Sequence, residues 1–283
     1  MPACGHVLCA AAPLLTSPKS AGYHPLLRDG GQLQAHSAWW LMRTRSRPLA
    51  ILITLLAILI VPRVAGQLAN LSRPWFGGMD ADGVYLWISL HHVWQLLLTI
   101  ALMLAFNRRL AFWGFNLDNL NVSLRHLKLF VLYSTGYLVI QNVVFYLVAP
   151  PIWIDFPLTL QNVAGYLGFQ LLLSGTCEEP LFRGFVMMML YPAFVGSIDL
   201  RKFEIPHAGL IAAVFFTFAH IQFSIRPFEI IHLLPSQLAL SFFLGIYYAV
   251  VFHQTRSLLT PILTHNYVNL LLVGLNMLLV VLK

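Results

Sequence analysis

MRTRSRPLAILITLLAILIV, residues 42–61, places a run of basic residues directly before an uninterrupted apolar run. This order is typical of a signal anchor, in which the apolar run enters the membrane and the basic flank stays in the cytoplasm. We therefore expect translation to begin at Met42, with residues 1–41 as an upstream extension or a disordered leader. Residues 1–41 have no helical period, which agrees with this expectation. The alternative is that they form an ordinary cytosolic tail.

Apolar residues dominate the rest of the chain. Of the 283 residues, 59% are hydrophobic and 10% are charged, whereas soluble domains are about half apolar and a quarter charged. Because a spanning helix needs about 20 apolar residues, the sequence predicts an all-α, multi-pass transmembrane bundle of seven or eight helices over residues 42–283. The spans are expected near 49–62, 84–106, 129–149, 158–177, 208–224, 232–252 and 258–282, with a further apolar piece at 181–194.

The segment LAFWGFNLDNLNVSLRHLK, residues 110–128, separates the second and third spans. It is too polar to cross the bilayer, and aromatic residues stand at its start. An interfacial amphipathic helix is the first interpretation. The alternative is a plain connecting loop with Trp113 as an aromatic residue at the membrane surface.

The basic residues indicate membrane orientation. The net charge of +7 comes from small groups beside apolar segments and forms no continuous stripe, so we expect no nucleic-acid partner. With a cytoplasmic N-terminus, most basic residues fall on the cytoplasmic side. Compact loops favour a bacterial plasma membrane, and a eukaryotic internal membrane is the alternative. The cytoplasmic side would hold Arg43, Arg45, Arg47, Arg108, Arg109, Arg125, Lys128, Arg201, Lys202 and Arg256, and the opposite side Arg63, Arg73, Arg226 and Lys283.

Two of the four glutamates, Glu178 and Glu179, are adjacent in CEEPLFRG, which interrupts an apolar run. A charged side chain at the bilayer centre costs roughly 2.5–3.5 kcal/mol on insertion scales, so such a pair indicates a function. Pro180 disfavours helix at Glu179 and suits the first turn of a new helix, which predicts both carboxylates near a helix N-terminus. Arg183 follows Glu179 by four residues and is expected to pair with it, leaving Glu178 to face a cavity. The alternative is a buried ion-pair network that only fixes a kink.

Two later apolar spans carry polar side chains at helical spacing. FFTFAH ends on His220, and LLTPILTHNYVN contains His265 and Asn269, four residues apart. Thr260 and Pro261 would start the last helix, so His265 and Asn269 share one face about a turn into it. Each histidine alone is more often a core residue or an interhelical hydrogen bonder.

The remaining histidines of the second span and a metal site are alternative explanations for the polar residues in the apolar spans. His91 and His92 have no acidic neighbour in the sequence and no patterned partner, so we expect them to pack or to lie at the membrane interface. Glutamate with two histidines could hold zinc. The chain has no H-E-x-x-H motif, however, and no membrane-embedded G-x-S-x-G or G-x-G-D string. We therefore expect no metal and no cofactor.

The strings EEPLFR, FFTFAH and HNYVN resemble the E-E-x-x-x-R, F-x-x-x-H and H-x-x-x-N motifs of the CPBP family. This family comprises CAAX prenyl endopeptidases and bacteriocin-processing enzymes, also called intramembrane glutamic endopeptidases. The resemblance covers about residues 158–272, with the motifs in the right order inside apolar helices. Gly245 stands where the family has a close helix contact, and Ala249 where it often has a second small residue. The resemblance implies that Glu179 and Arg183 shape and orient the site.

The resemblance also implies the remaining roles. Glu178 would activate water as general base with help from His220, while His265 and Asn269 would stabilise the oxyanion. The expected partners are the lipid bilayer and a peptide or lipidated protein substrate, such as a prenylated CAAX protein or a bacteriocin- or pheromone-like peptide. One alternative is a non-catalytic immunity or scaffold protein of the same family, against which the intact motifs argue. The other is a transporter, against which the lack of a visible inverted repeat argues.

Overall fold

The structure, a computed structural model, describes residues 46–148, 154–201, 203–225 and 228–282. The expectations about residues 1–41 and about a start at Met42 lie outside these ranges. Within them, five helices are long and apolar enough to cross a membrane. The predicted all-α transmembrane bundle is thereby confirmed.

The helical elements follow one another with short connections. Two antiparallel hairpins flank the helix His207–Phe218. Strand β1 (Ser197–Asp199) pairs with β2 (Glu204–Pro206), and β3 (Gln222–Ile225) pairs with β4 (Phe228–His232). Residues 181–190, in the π-helix and the short helix after it, contribute 8 of the 21 residues of the buried apolar core in the described part of the chain. The helices are α1 (Arg47–Ser72), α2 (Leu86–Phe106), α3 (Leu120–Val148), α4 (Leu160–Leu172), α5 (Ser174–Glu179), the π-helix (Pro180–Met187), α6 (Met188–Leu190), α7 (His207–Phe218), α8 (Pro235–Thr255) and α9 (Leu259–Val281).

Helix α1 has the side-chain distribution of a membrane helix. Its buried positions recur every three or four residues and are mostly small, whereas the large apolar side chains Leu52, Leu56 and Ile60 are about half exposed. Small residues let two helices approach closely, and large apolar residues are stable in contact with lipid tails. The buried face packs against α2. It comprises Ala50, Thr54, Ala57, Val61, Ala65, Ala69 and Ser72.

Asp80 fixes the start of α2. Its carboxylate accepts hydrogen bonds from the backbone N–H groups of Val84 (2.8 Å), Tyr85 (3.0 Å) and Leu86 (2.8 Å). Burial raises the pKa of this carboxyl group, but the three backbone donors and nearby Arg73 outweigh it, so the pKa is lowered overall. This clamp sets the position of a helix that reaches the candidate site.

The structure corrects the prediction of a new helix at Pro180. Glu179 has helical backbone angles (φ −61°, ψ −37°), and the chain continues from α5 into the π-helix without a break. Proline has no N–H to bond to the fourth preceding residue, and a π turn accommodates it within a continuous helix. Both carboxylates therefore lie at the C-terminal end of α5, and a helix N-terminus does not stabilise them. The break lies earlier, at Leu173.

The interpretation of residues 110–128 was also wrong. Residues Leu110–Trp113 form a short 3₁₀ helix, and the chain from Leu120 onward belongs to α3 rather than to a separate interfacial helix. Trp113 is fully buried and donates its indole N–H to the Asn107 carbonyl at 3.0 Å. The turn depends on Gly114, which has φ +99°, and an added Cβ there would lie 2.6 Å from the Phe252 ring. This turn directs the tryptophan into the core instead of toward the membrane surface.

Candidate active site

Glu178 is the more accessible of the two adjacent carboxylates. It lies on the last turn of α5, and its side chain is 21% exposed. Its Oε1 atom is 3.1 Å from His92 Nε2, and its Oε2 atom is 3.9 Å from His265 Nε2. The two carboxylate oxygens therefore face different histidines from different helices.

Glu179 and Arg183 form the expected pair, and both side chains are fully buried. Glu179 Oε1 accepts from Arg183 Nη1 at 3.2 Å and from His265 Nδ1 at 2.7 Å. Arg183 Nη2 donates to the Gly245 carbonyl at 3.2 Å. The guanidinium carbon lies 4.5 Å from the centroid of the Phe216 ring, which adds a cation–π contact. This buried ion pair and its hydrogen bonds connect α5, the π-helix, α8 and α9.

His265 has a defined orientation because each ring nitrogen faces a different group. Its Nδ1 atom contacts Glu179 Oε1, which also accepts from Arg183, so Nδ1 carries a proton. Its Nε2 atom points toward Glu178. The ring is stacked on Tyr248, with centroids 5.4 Å apart and an interplanar angle of 13°. When both ring nitrogens carry a proton, Nε2 can also donate.

His220 lies one residue beyond the C-cap of α7, and its ring, like that of His265, contacts the Phe216 ring. The Phe216 ring centroid is 4.7 Å from that of His220 and 5.8 Å from that of His265. The contact between His220 Nδ1 and the Phe216 carbonyl, 2.8 Å, places a proton on Nδ1 and leaves Nε2 as an acceptor. His220 is close enough to Glu178 to interact electrostatically. No direct hydrogen bond joins them within the described ranges, so a water or substrate group would have to do so.

Asn269 lies one turn after His265 on α9. Its Nδ2 atom donates to the Ser174 hydroxyl at 2.7 Å, at the start of α5. The amide has a second N–H that this bond does not use. The structure thus brings Glu178, Glu179, Arg183, His265 and Asn269 together at the α5–α9 contact, with His220 adjacent.

Close approach of α5 and α9 sets this geometry. Asn266 accepts from the Gly175 backbone N–H at 2.6 Å and donates to the Thr176 hydroxyl at 3.0 Å. A Cβ added at Gly175 would lie 2.6 Å from the Cβ of His265, so only glycine fits. Asn266 was missed in the sequence, although it adjoins His265, because the H-x-x-x-N spacing selects Asn269.

Gly245 also lies at a close helix contact, between α8 and α7. A Cβ added there would be 3.1 Å from the Ala213 Cβ, and the Gly245 carbonyl is the one that Arg183 binds. Ala249 lies one turn further on, where Gly209 of α7 has no room for a larger side chain. Small residues thus allow α7, which leads to His220, to pack directly on α8.

His92 corrects the sequence interpretation. It was expected to pack or to lie at the interface, like His91, but it is 6% exposed and contacts Glu178. The two residues are 86 positions apart, so a search for neighbouring acidic residues could not find the contact. His91 behaves as expected, stacking on Trp87 and contacting the Pro62 carbonyl.

Tyr248 is a further residue that sequence reasoning missed. Its ring lies between the His265 ring and the Arg183 guanidinium, whose carbon is 5.1 Å from its centroid. Within the described part of the chain, its hydroxyl has no hydrogen-bond partner, although the side chain is fully buried. The ring, and not the hydroxyl, makes the contacts that orient His265.

Tyr248→Phe is therefore expected to keep activity and to leave the free energy of unfolding unchanged or slightly higher. A buried hydroxyl without a partner carries a desolvation penalty of about 1–3 kcal/mol, which phenylalanine does not have. The adjacent Tyr247→Phe is the control, because the Tyr247 hydroxyl donates to the His126 carbonyl at 3.3 Å and its loss costs about 1 kcal/mol. Thermal unfolding in detergent and a peptide-cleavage assay measure both. A tenfold loss of activity in Tyr248→Phe would show that the hydroxyl takes part in the reaction.

A metal site does not stand out in the geometry. In the ranges that the structure describes, no group of three or more His, Cys, Asp or Glu side chains is arranged to hold a metal ion. Glu178 is bound to His92, and the Arg183 guanidinium lies next to Glu179. A buried cation beside the site disfavours a dication there.

Comparison with known proteins agrees with the motifs. Residues 159–271 match the family described as type II CAAX prenyl endopeptidase Rce1-like. No curated protein and no solved structure matches the chain. The matched segment runs from the start of α4 into α9 and contains the three motifs. The resemblance to the CPBP family is thus confirmed over residues 159–271, where the chain is similar to type II CAAX prenyl endopeptidases of the Rce1-like family.

Proposed function

We propose that this protein is an intramembrane endopeptidase in which a water activated by Glu178 hydrolyses a peptide bond. The observation that carries the proposal is the environment of Glu178. Its carboxylate is the partly exposed one of the pair, and its Oε2 atom faces His265 Nε2 at 3.9 Å. The match to a protease family over residues 159–271 supports the reaction class.

The proposed reaction uses each side chain in one role. Glu178 takes a proton from water, and the water oxygen adds to the carbonyl carbon of the substrate. His220, through Nε2, holds the same water. The resulting oxyanion accepts hydrogen bonds from His265 Nε2 and from the second N–H of Asn269. The protonated Glu178 then donates to the leaving nitrogen, the C–N bond breaks, and the products are a carboxylate and an amine.

Glu179 and Arg183 support this reaction without touching the substrate. Glu179 holds His265 by Nδ1 at 2.7 Å, which keeps Nε2 directed to the reacting atoms. Arg183 balances the charge of Glu179 in a site that is closed to solvent. The substrate class follows from the family, and we propose a peptide or lipidated protein, of the prenylated CAAX type or of the bacteriocin or pheromone type.

Cleavage of defined peptides tests the proposal. The purified full chain in detergent is incubated with prenylated CAAX peptides and with unmodified bacteriocin-like and pheromone-like peptides, and products are identified by mass spectrometry. We expect at least one class to be cleaved at a single bond. A wild-type protein that cleaves none of them would favour the non-catalytic immunity or scaffold function.

The proposed reaction needs no metal, so we expect prolonged treatment with a strong chelator to leave activity unchanged. The reason is that Glu178 and His265 have roles in proton transfer and oxyanion binding, and Arg183 lies beside them. A carboxylate on Nδ1 of a histidine also occurs at zinc sites, so the measurement is informative. Activity lost on chelation and restored by zinc alone, with one zinc per untreated chain, would recast His220 and His265 as metal ligands.

We also propose a cytoplasmic N-terminus and a bacterial plasma membrane. The basic start of α1 supports this orientation, because basic residues beside membrane helices are more frequent on the cytoplasmic side. Arg47 donates to the Ala193 carbonyl at 3.3 Å and lies over the Phe194 ring. This contact puts Arg47 at the same end of the bundle as the hairpin that carries Arg201. Cysteine accessibility from either side of an intact membrane measures the orientation.

A further inference from the structure

His92 is bound to the proposed general base although it lies outside the family motifs and outside the matched segment. It projects from α2, is 6% exposed, and its Nε2 atom is 3.1 Å from Glu178 Oε1. The reaction described above does not use it. A buried titratable group in contact with a catalytic carboxylate requires an account of its own.

The hydrogen bonds of His92 determine where the protons of this contact lie. His92 Nδ1 is 2.9 Å from the Ile88 carbonyl oxygen, which can only accept, so Nδ1 carries a proton. An unprotonated Nε2 facing an ionised Oε1 would place two acceptors together. One proton therefore lies between them, either on an imidazolium facing a carboxylate or on a carboxyl group facing a neutral imidazole. The pair holds one proton in both cases.

The surroundings of His92 keep the ring in this orientation. Its edge-to-face contacts are with Phe169, at 4.8 Å between centroids, and with His91, at 5.3 Å. The hydrogen bond from His92 Nδ1 to the Ile88 carbonyl fixes the rotation of the ring. Glu178 is thus held by Oε1, and Oε2 is the oxygen left on the side of His265.

We propose that His92 is a positioning residue of the peptidase, which anchors Glu178 by one oxygen through a shared proton and reserves the other oxygen for the attacking water. This inference rests on the proposed function and deepens it. In the reacting form the shared proton is on His92 Nε2 and Glu178 is a carboxylate, so Oε2 takes the proton from water while His92 Nε2 continues to donate to Oε1. Oε2 then delivers its proton to the leaving nitrogen, so the pair ends with the proton count with which it began. The titratable and charged groups around the pair are His91, Cys177, Arg183, His220, Tyr248 and His265.

Substitution at position 92 tests the role. His92→Leu is expected to lower kcat by up to about 100-fold, the cost of misplacing a reacting group by about 1 Å, with KM little changed. His92→Gln can still donate to Oε1 and is expected to recover part of kcat. Because a neutral amide stabilises the carboxylate less than an imidazolium does, the acid limb of the kcat/KM profile in His92→Gln should move to higher pH.

His253→Gln is the matched control, since His253 is a half-buried histidine of α8 whose Nδ1 atom contacts the Tyr191 hydroxyl at 2.9 Å instead of Glu178. It is expected to keep the wild-type kcat and pH profile. A loss in His253→Gln equal to that in His92→Leu would mean that both act only on packing, and would overturn the proposal. If His92→Leu fails to fold, His92→Gln decides, because an unchanged pH profile with wild-type kcat overturns the role.

The outcomes also separate this inference from the function on which it rests. A wild-type protein that cleaves no peptide overturns the endopeptidase function, and the role of His92 with it. An active wild-type protein whose kcat and pH profile are the same in both His92 variants overturns the role of His92 alone. Peptide cleavage by the full chain in detergent, measured over a range of pH, supplies both readings.

Discussion

Glu178→Gln should lower peptidase activity by about 10²–10⁴-fold while leaving the fold intact. Gln has the shape of Glu but cannot take a proton from water, and proton transfer by a positioned side chain contributes about 10²–10⁴-fold to such reactions. The fold should survive because the Gln amide can donate to His92 Nε2, replacing the contact now at 3.1 Å. The measurement is kcat on a cleaved peptide, together with thermal unfolding in detergent.

Glu229→Gln is a suitable control for the same chemical change, because Glu229 is an exposed residue of β4. Its activity and stability should match those of the wild type. If Glu178→Gln kept more than a tenth of the wild-type activity, Glu178 would not be the general base.

Glu179→Gln and Arg183→Ala should each lower the free energy of unfolding by about 3–5 kcal/mol, because breaking a buried pair leaves the remaining charge without its partner. Both side chains are fully buried, and their N–O distance is 3.2 Å. Gln at position 179 can still accept from His265 Nδ1 but cannot balance the guanidinium. Arg183→Ala also empties the space over the Phe216 ring, so its effect should be at the upper end.

The double variant Glu179→Gln/Arg183→Met separates charge from packing. Replacing both members of a buried ion pair by neutral residues of similar volume is often neutral or stabilising, so the double variant should be more stable than Glu179→Gln alone. Thermal unfolding of the wild type, Glu179→Gln, Arg183→Met and the double variant in one detergent measures the coupling. Equal stability and equal activity in Glu178→Gln and Glu179→Gln would contradict the different roles of the two adjacent glutamates.

Local spacing along one helix was predictable from the sequence. The four-residue separation of Glu179 and Arg183 places both on one helix face, and the structure pairs them. The same reasoning put His265 and Asn269 on one face of α9, where both contact α5. These predictions hold because helix geometry is fixed within a few residues and needs no knowledge of the partner helix.

Predictions that depended on how the chain breaks a helix were less secure. Pro180 was expected to start a new helix, but the π-helix incorporates it, because core packing of residues 180–190 keeps this segment helical. One interpretation of residues 110–128 placed Trp113 at the membrane surface, but the turn at Gly114 directs it into the core. In both cases tertiary packing decided between conformations that local preferences leave close in energy.

By itself, the sequence determined that this is a membrane bundle with ionisable groups inside its helices, because the cost of polar groups in lipid restricts such residues to a buried site. The three motifs also indicated the resemblance to the CPBP family, with which the match over residues 159–271 agrees. Only the tertiary structure decided which groups meet across helices. The contact of His92 with Glu178 joins residues 86 positions apart, and the meeting of His265 with Glu179 depends on the close approach at Gly175. Periodicity fixes the face of a helix on which a residue lies, but the packing of small residues fixes the neighbour that the face meets.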